Sequence, residues 1–452
     1  MRDRLSIENS LSIGLIGWHE FKPDDNTILY IGDKNDALFC ALNSYGRRID
    51  CKALAETLDS SWEQRRFQYY DFIVCVEKIE QFHAPIDALR HWKSLLRPNG
   101  KLFLGMNNRL GLRYFCGDRD IYTGRNFDGI ENYRHVGGNL LGRMYSQAEI
   151  SRMLQESGWD HFRFYSVLSD LRNPAFIYAK DYLPNEELAN RLFPTYYSPN
   201  TVFLHEEEME TDLAENGLFH AMANAYLIEC SLSGFFSDVL HVTCSTERGK
   251  ENAFFTIIHR SGQVEKRAIY PEGRERLRHL ADNMEALRQR GVPVIDGRME
   301  HDSYVMPHIQ APLGHIYLKQ LMRRDTDKFV EAMDSIRETI LQSSEIIVPD
   351  KRDGEGPILA HGYWDMVPLN SFYVNGEFVF FDQEFSLSPC PANFVIHRMV
   401  NVFYYKNSEA ERILPLSILL ERYDLNRCHN KWIQMDTECM ANLRQEKALA
   451  EA

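Results

Sequence analysis

The feature that most constrains the fold is an alternation of short apolar runs with amphipathic helical patterns in the first 170 residues. Thr27–Ile31, Asp71–Val76 and Lys101–Gly105 have the length and composition of buried strands. Between the last two runs, one helical face is formed by Ile86, Leu89, Trp92, Leu95 and Leu96. The Pro-Asn-Gly sequence at 98–100 predicts the end of that helix. The pattern therefore predicts β-α-β units and a parallel sheet flanked by helices.

A further helix and strand extend this pattern. Ser146 and Glu149 have the spacing of a capping box ahead of an apolar run, and Gly158 is placed to end the helix. A strand is predicted near 162–167. Together these elements predict an α/β domain over residues 1–170.

This order resembles the class I, Rossmann-like methyltransferase fold. The similarity lies in the first strand with its glycine turn, in the stretch YDFIVCVEKIEQF, and in the more specific segment LLRPNGKLFLGMNN. It covers residues 12–170, and the loop from Asn108 to Tyr133 is similar to that of bacterial methyltransferase-like proteins associated with surface polysaccharide. The resemblance implies a site for S-adenosylmethionine, with Gly32 in the glycine turn and Asp50 as the acid that binds the ribose.

The glycine turn departs from the pattern of that family, which reads approximately GxGxG. There the missing side chains let the backbone approach the methionine part of the cofactor. Here Gly32 is followed by Asp33, Lys34, Asn35 and Asp36, so only the first glycine is retained. We expect a degenerate cofactor site in a domain with a structural or acceptor-binding role. Binding of S-adenosylmethionine remains the alternative.

Residues 171–235 differ in character from the preceding domain. Four prolines divide the stretch, and an acidic run at 206–212 lies in its middle. We interpret the stretch as a connector with some helix near 218–227, and the acidic run as a solvated face.

The next part of the chain predicts the small lobe of a kinase-like fold. Three predicted strands precede a helix at 272–288, and they lie at 239–243, 253–259 and 264–269. Lys266 on the third strand has the spacing of the lysine that pairs with nucleotide phosphates. Such a lysine is held by a helix glutamate, for which Glu275 and Glu285 are candidates. A solvated surface lysine is the alternative.

The strongest group of candidate residues lies between His361 and Phe385. Asp365 precedes Asn370 by five residues, and Asp382 follows Asn370 by twelve after an apolar strand. The turn at 374–377 predicts a hairpin that returns Asp382 to Asn370. Phosphoryl transfer needs such a set, because one carboxylate orients or deprotonates the acceptor hydroxyl while an amide and a second carboxylate hold magnesium.

This segment resembles the aminoglycoside phosphotransferase and small-molecule kinase family, whose loop reads HGDxxxxN and whose metal aspartate lies in a motif such as IDFE. The resemblance implies ATP and Mg²⁺ as cofactors. Asp365 would be the base, Asn370 and Asp382 the metal ligands, and Lys266 the phosphate contact. Backbone groups near Met306 would contact the adenine.

Two departures from that family leave a pseudokinase as the alternative. His361-Gly362 is followed by Tyr363 where the family has aspartate. The stretch Ser245-Thr246-Glu247-Arg248 stands in place of a glycine-rich loop, so phosphate binding would rest on hydroxyls, backbone amides and Lys266. A pseudokinase would use the same polar network as structural hydrogen-bond partners.

Composition narrows the classes of partner. The 51 Lys and Arg residues against 65 Asp and Glu residues give a net charge of −14, which disfavours nucleic acid. The sequence has no run of about 20 uncharged apolar residues, and its first residues are charged where a signal segment is apolar. The nine scattered cysteines, without a CxxC pair, indicate reduced thiols. We expect a cytoplasmic protein without a transmembrane segment.

We therefore predict an α/β plus α+β chain, in which a Rossmann-like methyltransferase fold precedes a bilobal protein-kinase-like fold. The predicted parts are a degenerate methyltransferase-like domain, a connector, a kinase-like domain and a helical tail, at 1–170, 171–235, 236–430 and 431–452. This order resembles bacterial proteins that phosphorylate and then methylate the end of a surface glycan.

The resemblance implies a saccharide or glycan acceptor and a glycosyltransferase partner. The main hypothesis is an ATP-dependent phosphotransferase. The alternatives are an S-adenosylmethionine-dependent methyltransferase with a pseudokinase domain, and a noncatalytic scaffold in a glycan-assembly complex.

Overall fold

The computed structural model describes the chain in nine stretches, at 5–6, 11–19, 21, 26–44, 48–58, 66–138, 140–184, 188–349 and 354–450. The chain forms two compact units. The first comprises residues 1–246 and 257–261, and the second comprises residues 247–256 and 262–452. Within the described stretches, every helix is too short or too polar to cross a membrane.

The first unit is built of strands and helices that alternate along its first half. Its strands are β1 (Leu5–Ser6), β2 (Thr27–Ile31), β3 (Arg48–Lys52), β4 (Tyr70–Val76), β5 (Leu96–Asn107), β6 (Phe162–Ser169), β7 (Pro174–Ala179), β8 (Thr195–Tyr196), β9 (Ala225–Ser231) and β10 (Val239–Cys244). Its helices are α1 (Ala37–Ser44), α2 (Pro85–Leu95), α3 (Leu112–Phe115), α4 (Gln147–Glu156) and α5 (Glu210–Glu215).

The sheet of the first unit is parallel on one side and antiparallel on the other. Its strand order is β3-β2-β4-β5-β9-β6-β7-β10. The strands from β3 to β5 are parallel. The remaining strands pair antiparallel, and β9 lies between β5 and β6. The predicted parallel sheet is confirmed for β2, β4 and β5, and the predicted strand at 162–167 is β6.

Helices cover the parallel strands through the predicted apolar faces. On α2, Ala88, Leu89, Trp92 and Leu95 are buried in the main core of the unit. Helix α4 begins at the predicted capping box, since Ser146 accepts the Glu149 N–H and Glu149 accepts the Ser146 N–H. The helix ends before Gly158, whose φ of +84° suits glycine.

The stretch predicted as a connector belongs to this sheet. Residues 171–235 supply β7 and β9, and residues 225–231 form a strand where a helix was expected near 218–227. All seven residues of β9 are buried. A strand buried on both faces is continuously apolar, and by periodicity alone such a run resembles a buried helix.

The second unit begins with a small sheet and continues into a helical part. Its strands are β11 (Phe254–His259, of which 254–256 belong to this unit), β12 (Gln263–Ala268), β13 (Arg298–Glu300), β14 (Ser303–Pro307), β15 (Ile346–Val348), β16 (Ile358–Leu359), β17 (Ser371–Val374), β18 (Glu377–Phe380) and β19 (Cys390–Pro391). Its helices are α6 (Arg274–Gln289), α7 (Gly314–Arg324), α8 (Thr326–Gln342), α9 (Ala392–Tyr405), α10 (Ala410–Ile413), α11 (Leu416–Arg422) and α12 (His429–Ala450).

The small sheet of the second unit has the order β13-β14-β12-β11. Helix α6 packs on it, and its Leu277, Leu280 and Met284 join Phe254 and Tyr304 in one core cluster. This arrangement confirms the predicted strands at 253–259 and 264–269 and the predicted helix, and it brings β12 to the interior of the sheet. The remaining predicted strand, at 239–243, is β10 of the first unit.

The predicted hairpin between β17 and β18 is confirmed. The strands pair antiparallel with Val374 opposite Glu377. Asn375 and Gly376 lie between them with φ values of +53° and +92°. Two positive φ values in a two-residue loop are typical of the turn that follows the natural twist of a hairpin. The turn residues therefore fix where the segment after β18 begins.

The core of the first unit makes a direct prediction about stability. Leu104 lies on β5, is fully buried and belongs to the main core cluster. We expect Leu104→Ala to lower the free energy of unfolding of this unit by about 2–5 kcal/mol. Urea denaturation followed by circular dichroism measures the loss. Leu141→Ala, at a side chain that is 84% exposed, is the matched control, and equal midpoints for the two variants would contradict the packing described.

Candidate functional site

In the second unit, a buried lysine lies between two carboxylates. Lys266, on β12, is 5% exposed, and its ammonium group forms ion pairs with Asp382 and Glu384. Burial lowers the pKa of Lys266, and the negative charge of Asp382 opposes that shift. Since a buried ammonium group is stable only beside opposite charge, these contacts fix the segment after β18 against β12.

Asp382 reaches this position because of the backbone that surrounds it. It follows β18 by two residues and has a φ of +61°, in the left-handed region that non-glycine residues rarely adopt. The Phe381 N–H donates to the Asn370 carbonyl at 2.9 Å. The hairpin therefore returns Asp382 to the neighbourhood of Asn370, as the sequence predicts.

Two side-chain amides converge on the backbone of Asp365. Asn370 Nδ2 donates to the Asp365 carbonyl at 3.2 Å, and Gln383 Nε2 donates to the same oxygen at 3.1 Å. The Asn370 Oδ1 atom accepts no hydrogen bond from the described residues. Asn370 and Gln383 therefore hold the Asp365 backbone, and the Phe381 N–H ties the residue before Asp382 to the Asn370 carbonyl.

The carboxylate of Asp365 is engaged by an arginine that the sequence analysis did not identify. Arg398 Nη2, on α9, lies 3.1 Å from Asp365 Oδ1, and Arg398 Nη1 pairs with Asp436 on α12. The Arg398 guanidinium also lies 4.2 Å from the centre of the Trp364 ring. Asp365 Oδ2 has no hydrogen-bond partner in the described stretches. The predicted base is thus held in place through one oxygen only.

Two further charged residues belong to this site. Glu384 is 3% exposed, and its Oε2 atom lies 3.8 Å from Arg248 Nη1. Arg248 lies in the stretch that replaces the glycine-rich loop, and its side chain is partly exposed. Both residues lie in segments that the sequence indicates as candidates, but only the folded chain brings Glu384 to Lys266 and Arg248 to Glu384. We name Lys266, Asp382, Glu384, Asp365, Asn370 and Arg248 the lysine–carboxylate site.

The expected helix glutamate is not the partner of Lys266. Glu285 is solvent-exposed and pairs with Arg288 on its own helix, and Glu275 lies near His279. The reason is that Asp382 and Glu384 already supply two carboxylates to the buried ammonium group. The structure therefore corrects the predicted role of Glu285.

Met306 lies on β14, opposite Val264 of β12. Two residues later, the His308 N–H donates to the Gly262 carbonyl at 2.9 Å. Of the backbone groups expected to contact adenine, that N–H is therefore engaged within the protein. The role of the Met306 backbone remains a prediction.

The metal ligands expected at this site are few. Among the residues that the structure describes, no group of three or more His, Cys, Asp or Glu side chains is arranged to hold a metal ion. Magnesium, however, is commonly held by one or two carboxylates together with substrate phosphates and water. The Asp382 carboxylate and the free oxygen of Asn370 fit that pattern.

In the first unit, the predicted ribose-binding acid has protein partners. The Tyr70 hydroxyl donates to Asp50 Oδ2 at 2.6 Å, and Arg66 lies 3.5 Å from the same oxygen. Asp50 is opposite Leu29 in the register, whereas Lys52 is opposite Ile31 at the end of both strands. Ligands of such sheets bind at the carboxyl ends of the strands. Asp50 therefore lies two positions short of the end at which a ribose would bind.

A buried acidic pair that the sequence analysis missed lies at the carboxyl ends of β4 and β5. Glu77 and Glu80 are 7% and 1% exposed. Asn107, the last residue of β5, donates its backbone N–H to Glu80 and its Nδ2 to Glu77 at 3.2 Å. Tyr122 donates to Glu80 at 2.6 Å, and Arg172 pairs with Glu77 at 2.9 Å. The usable signal was position, since Glu77 directly follows a predicted parallel strand and Glu80 comes three residues later.

The two carboxyl groups of this pair are in different surroundings. Burial, together with the charge of Glu77, raises the pKa of Glu80 to about 8, while hydrogen bonds from Tyr122 and Asn107 act in the opposite direction. Glu77 has Arg172 as its counterion. Burial therefore favours the protonated form of Glu80, and a raised pKa of this kind is what general acids have.

Comparison with known proteins gives a family match for part of the first unit. Residues 31–161 match the family model described as a methyltransferase domain. The match confirms the predicted Rossmann-like methyltransferase fold for this segment, which is less than a third of the chain. No curated protein is similar enough to this chain to count as a match.

Solved structures with partial similarity are described as methyltransferases. They include a SAM-dependent methyltransferase, possible histamine N-methyltransferase, from Thermotoga maritima (14% identity, 46% of this chain, 84% of that chain, TM-score 0.26). A SAM-dependent methyltransferase from Archaeoglobus fulgidus has 12% identity, covers 46% of this chain and 86% of its own, and has a TM-score of 0.28. TM-scores this low do not support a fold assignment, which therefore rests on the family model.

The raised pKa of Glu80 predicts how stability depends on pH. Its folded pKa is about 8 and its ordinary value is 4.5. The folded chain therefore keeps a proton that the unfolded chain releases between these values. We expect the free energy of unfolding to fall as the pH rises across that range, by at most about 1.4 kcal/mol per pH unit from this group.

Glu80→Gln should remove this part of the pH dependence. Urea midpoints of the variant and the wild type, measured between about pH 5 and about pH 8, give the difference. Burial also raises the pKa of Glu206 to about 7, so Glu206 contributes to the pH dependence of both proteins. The effect of Glu80 is therefore the difference between the two slopes of unfolding free energy against pH. Glu156→Gln, at an exposed position of α4, is the control, and identical slopes for all three proteins would refute the assignment.

Proposed function

We propose that the protein is an ATP-dependent phosphotransferase whose site is the lysine–carboxylate site of the second unit. The observation that carries the proposal is the burial of Lys266 between Asp382 and Glu384. A surface lysine, the alternative to a phosphate-binding one, would be solvated. The order of the small sheet, with Lys266 on its interior strand β12 and helix α6 packed on it, supports a kinase-like fold.

The charges of the site suit a nucleotide with its cation. With ATP bound, Lys266 and Arg248 would contact phosphate oxygens. Asp382 and the Asn370 side-chain oxygen would hold Mg²⁺, and Glu384 would remain as a buried counter-charge to Lys266. The bound cation neutralises charge on the phosphates. In this arrangement Lys266 would exchange its pairing with Asp382 for one with a phosphate, and Arg248 would exchange its contact with Glu384.

Asp365 is the residue that we assign to the acceptor. Its Oδ1 atom is held by Arg398, which leaves Oδ2 to accept a hydrogen bond from an acceptor hydroxyl. In the reaction, the hydroxyl oxygen bonds to the terminal phosphorus of ATP, the bond to ADP breaks, and the hydroxyl proton passes to Asp365. Arg398 is a positioning residue, since it fixes the carboxylate and does not contact the phosphates.

The acceptor that we propose is a saccharide or the end of a glycan. This assignment rests on the resemblance to bacterial proteins that act on surface polysaccharide, as does the proposed glycosyltransferase partner. The kinase-like domain predicted at 236–430 falls largely in the second unit, whereas β10 at its predicted start belongs to the first unit. A cytoplasmic location fits a reaction that consumes ATP.

A methyltransferase is the second candidate function. The match of residues 31–161 to a methyltransferase domain favours it. So does the protonated Glu80 at the carboxyl ends of β4 and β5, where an acceptor of this fold class would lie. Its weakness is the degenerate glycine turn. A noncatalytic scaffold would bind neither nucleotide and would co-purify with a glycosyltransferase.

The central test is the removal of one charge at the cation site. Asp382→Asn keeps the shape of the side chain but weakens its hold on Mg²⁺, so we expect ATP turnover to fall by at least about 100-fold. Asp327→Asn, at an exposed position of α8, is the matched control. A coupled assay of ADP release with and without a saccharide acceptor measures both variants, and unchanged turnover in Asp382→Asn would reject the phosphotransferase.

Arg248 should act on nucleotide binding more than on the chemical step. We expect Arg248→Ala to raise KM for ATP by about 10-fold, equivalent to about 1.4 kcal/mol, with a smaller change in kcat. Arg248→Lys should recover part of the loss, because it restores the charge without the planar guanidinium. Steady-state kinetics at varied ATP gives the split, and an equal fall in kcat for both variants at constant KM would contradict this role.

A further inference from the structure

We infer that the turn from Gly32 to Asp36 does not accept S-adenosylmethionine, because Asp36 fills the place that a ligand carboxylate would take. This inference concerns the first unit and does not depend on the proposed phosphotransferase. The polar groups of the turn form hydrogen bonds with one another and with the end of β2. The Asp36 Oδ2 atom accepts the Tyr30 hydroxyl at 3.0 Å and the Asp33 N–H at 3.1 Å.

The backbone donors of the turn are engaged within the chain. The Gly32 N–H donates to the Lys52 carbonyl at 2.9 Å, and the Asp36 N–H donates to the Asp33 carbonyl at 3.1 Å. The Asn35 N–H donates to Asp33 Oδ1 at 2.8 Å. With the Asp33 N–H, four of the five N–H groups of the turn have acceptors. Such N–H groups are what a turn of this kind offers to an anionic ligand group.

The one retained glycine is required by the protein itself. A Cβ atom at Gly32 would lie 2.5 Å from Tyr30 Cε1 and 2.7 Å from Asp36 Oδ2. Contacts this short do not occur between real atoms, so the close approach that needs glycine here is made by the Tyr30 side chain of β2 and the Asp36 side chain of the turn. Gly32 is therefore explained without a bound cofactor.

Charge also opposes the carboxylate of the methyl donor. Asp33 and Asp36 both lie in the turn, and a third carboxylate beside them would meet like charges. Lys34, which could attract an anion, is exposed. The turn is thus a closed structure in which Asp36 serves as the internal acceptor, and the residues do not fit the methionine carboxylate of S-adenosylmethionine.

Calorimetric titration of the full-length chain with S-adenosylhomocysteine tests this inference. We expect no saturable heat at ligand concentrations up to about 1 mM. A saturable heat that is lost in Gly32→Ala would overturn the inference. ATP with Mg²⁺, titrated into the same preparation, tests the proposed phosphotransferase separately, so the two can fail independently.

A second measurement tests the internal role of Asp36. If its carboxylate holds the turn closed, Asp36→Gly should lower the melting temperature by a few degrees, and added S-adenosylhomocysteine should not raise that of the wild type. An unchanged melting temperature in Asp36→Gly, or a shift of the wild type with the ligand, would contradict the inference. Should the variant not fold, the wild-type titration and melting curve still decide the question.

Discussion

A lysine withdrawn from water requires opposite charge beside it, and in the second unit this requirement organises the candidate site. Lys266 lies on an interior strand of a small sheet, and the two carboxylates that neutralise it come from the segment after β18. Removing one partner of such a set would leave an uncompensated buried charge, which costs several kcal/mol, on the order of 3–5. The ion pairs therefore tie the sheet to the hairpin whose turn directs Asp382 back toward Asn370.

The candidate ligand sites of the two units differ in how far their polar groups are hydrogen-bonded within the protein. In the second unit, basic and acidic side chains face one another, and the Asn370 Oδ1 and Asp365 Oδ2 atoms have no hydrogen-bond partner among the residues that the structure describes. In the first unit, backbone N–H groups of the turn after β2 donate to the carboxylates of Asp33 and Asp36 in the same turn. A site that retains unsatisfied groups can exchange them for a ligand, whereas a site that satisfies itself has less to gain from one.

Features of both units that depend on residues a few positions apart were predictable from the sequence. Features that depend on contacts between distant parts of the chain were less predictable. The capping box at Ser146 and the turn at Asn375 each involve residues a few positions apart, so the chemistry that fixes them is contained in a short segment. The strand β9 was not predicted, and a helix was expected near 218–227 where it begins, because its burial on both faces depends on neighbours distant in sequence. Predicting that Asp382 would reach Asn370 succeeded because a hairpin connects them.

The sequence by itself determined most of the strands, the local turns, the net charge, and the presence and spacing of a lysine, two aspartates and an asparagine. Only the tertiary structure decided which carboxylates neutralise Lys266, which arginine holds Asp365, and which glutamate after β4 has its pKa raised by burial. The physical reason is that pairing energy and pKa depend on distance and burial in space. A chain of amino acids specifies both of these only once it has folded.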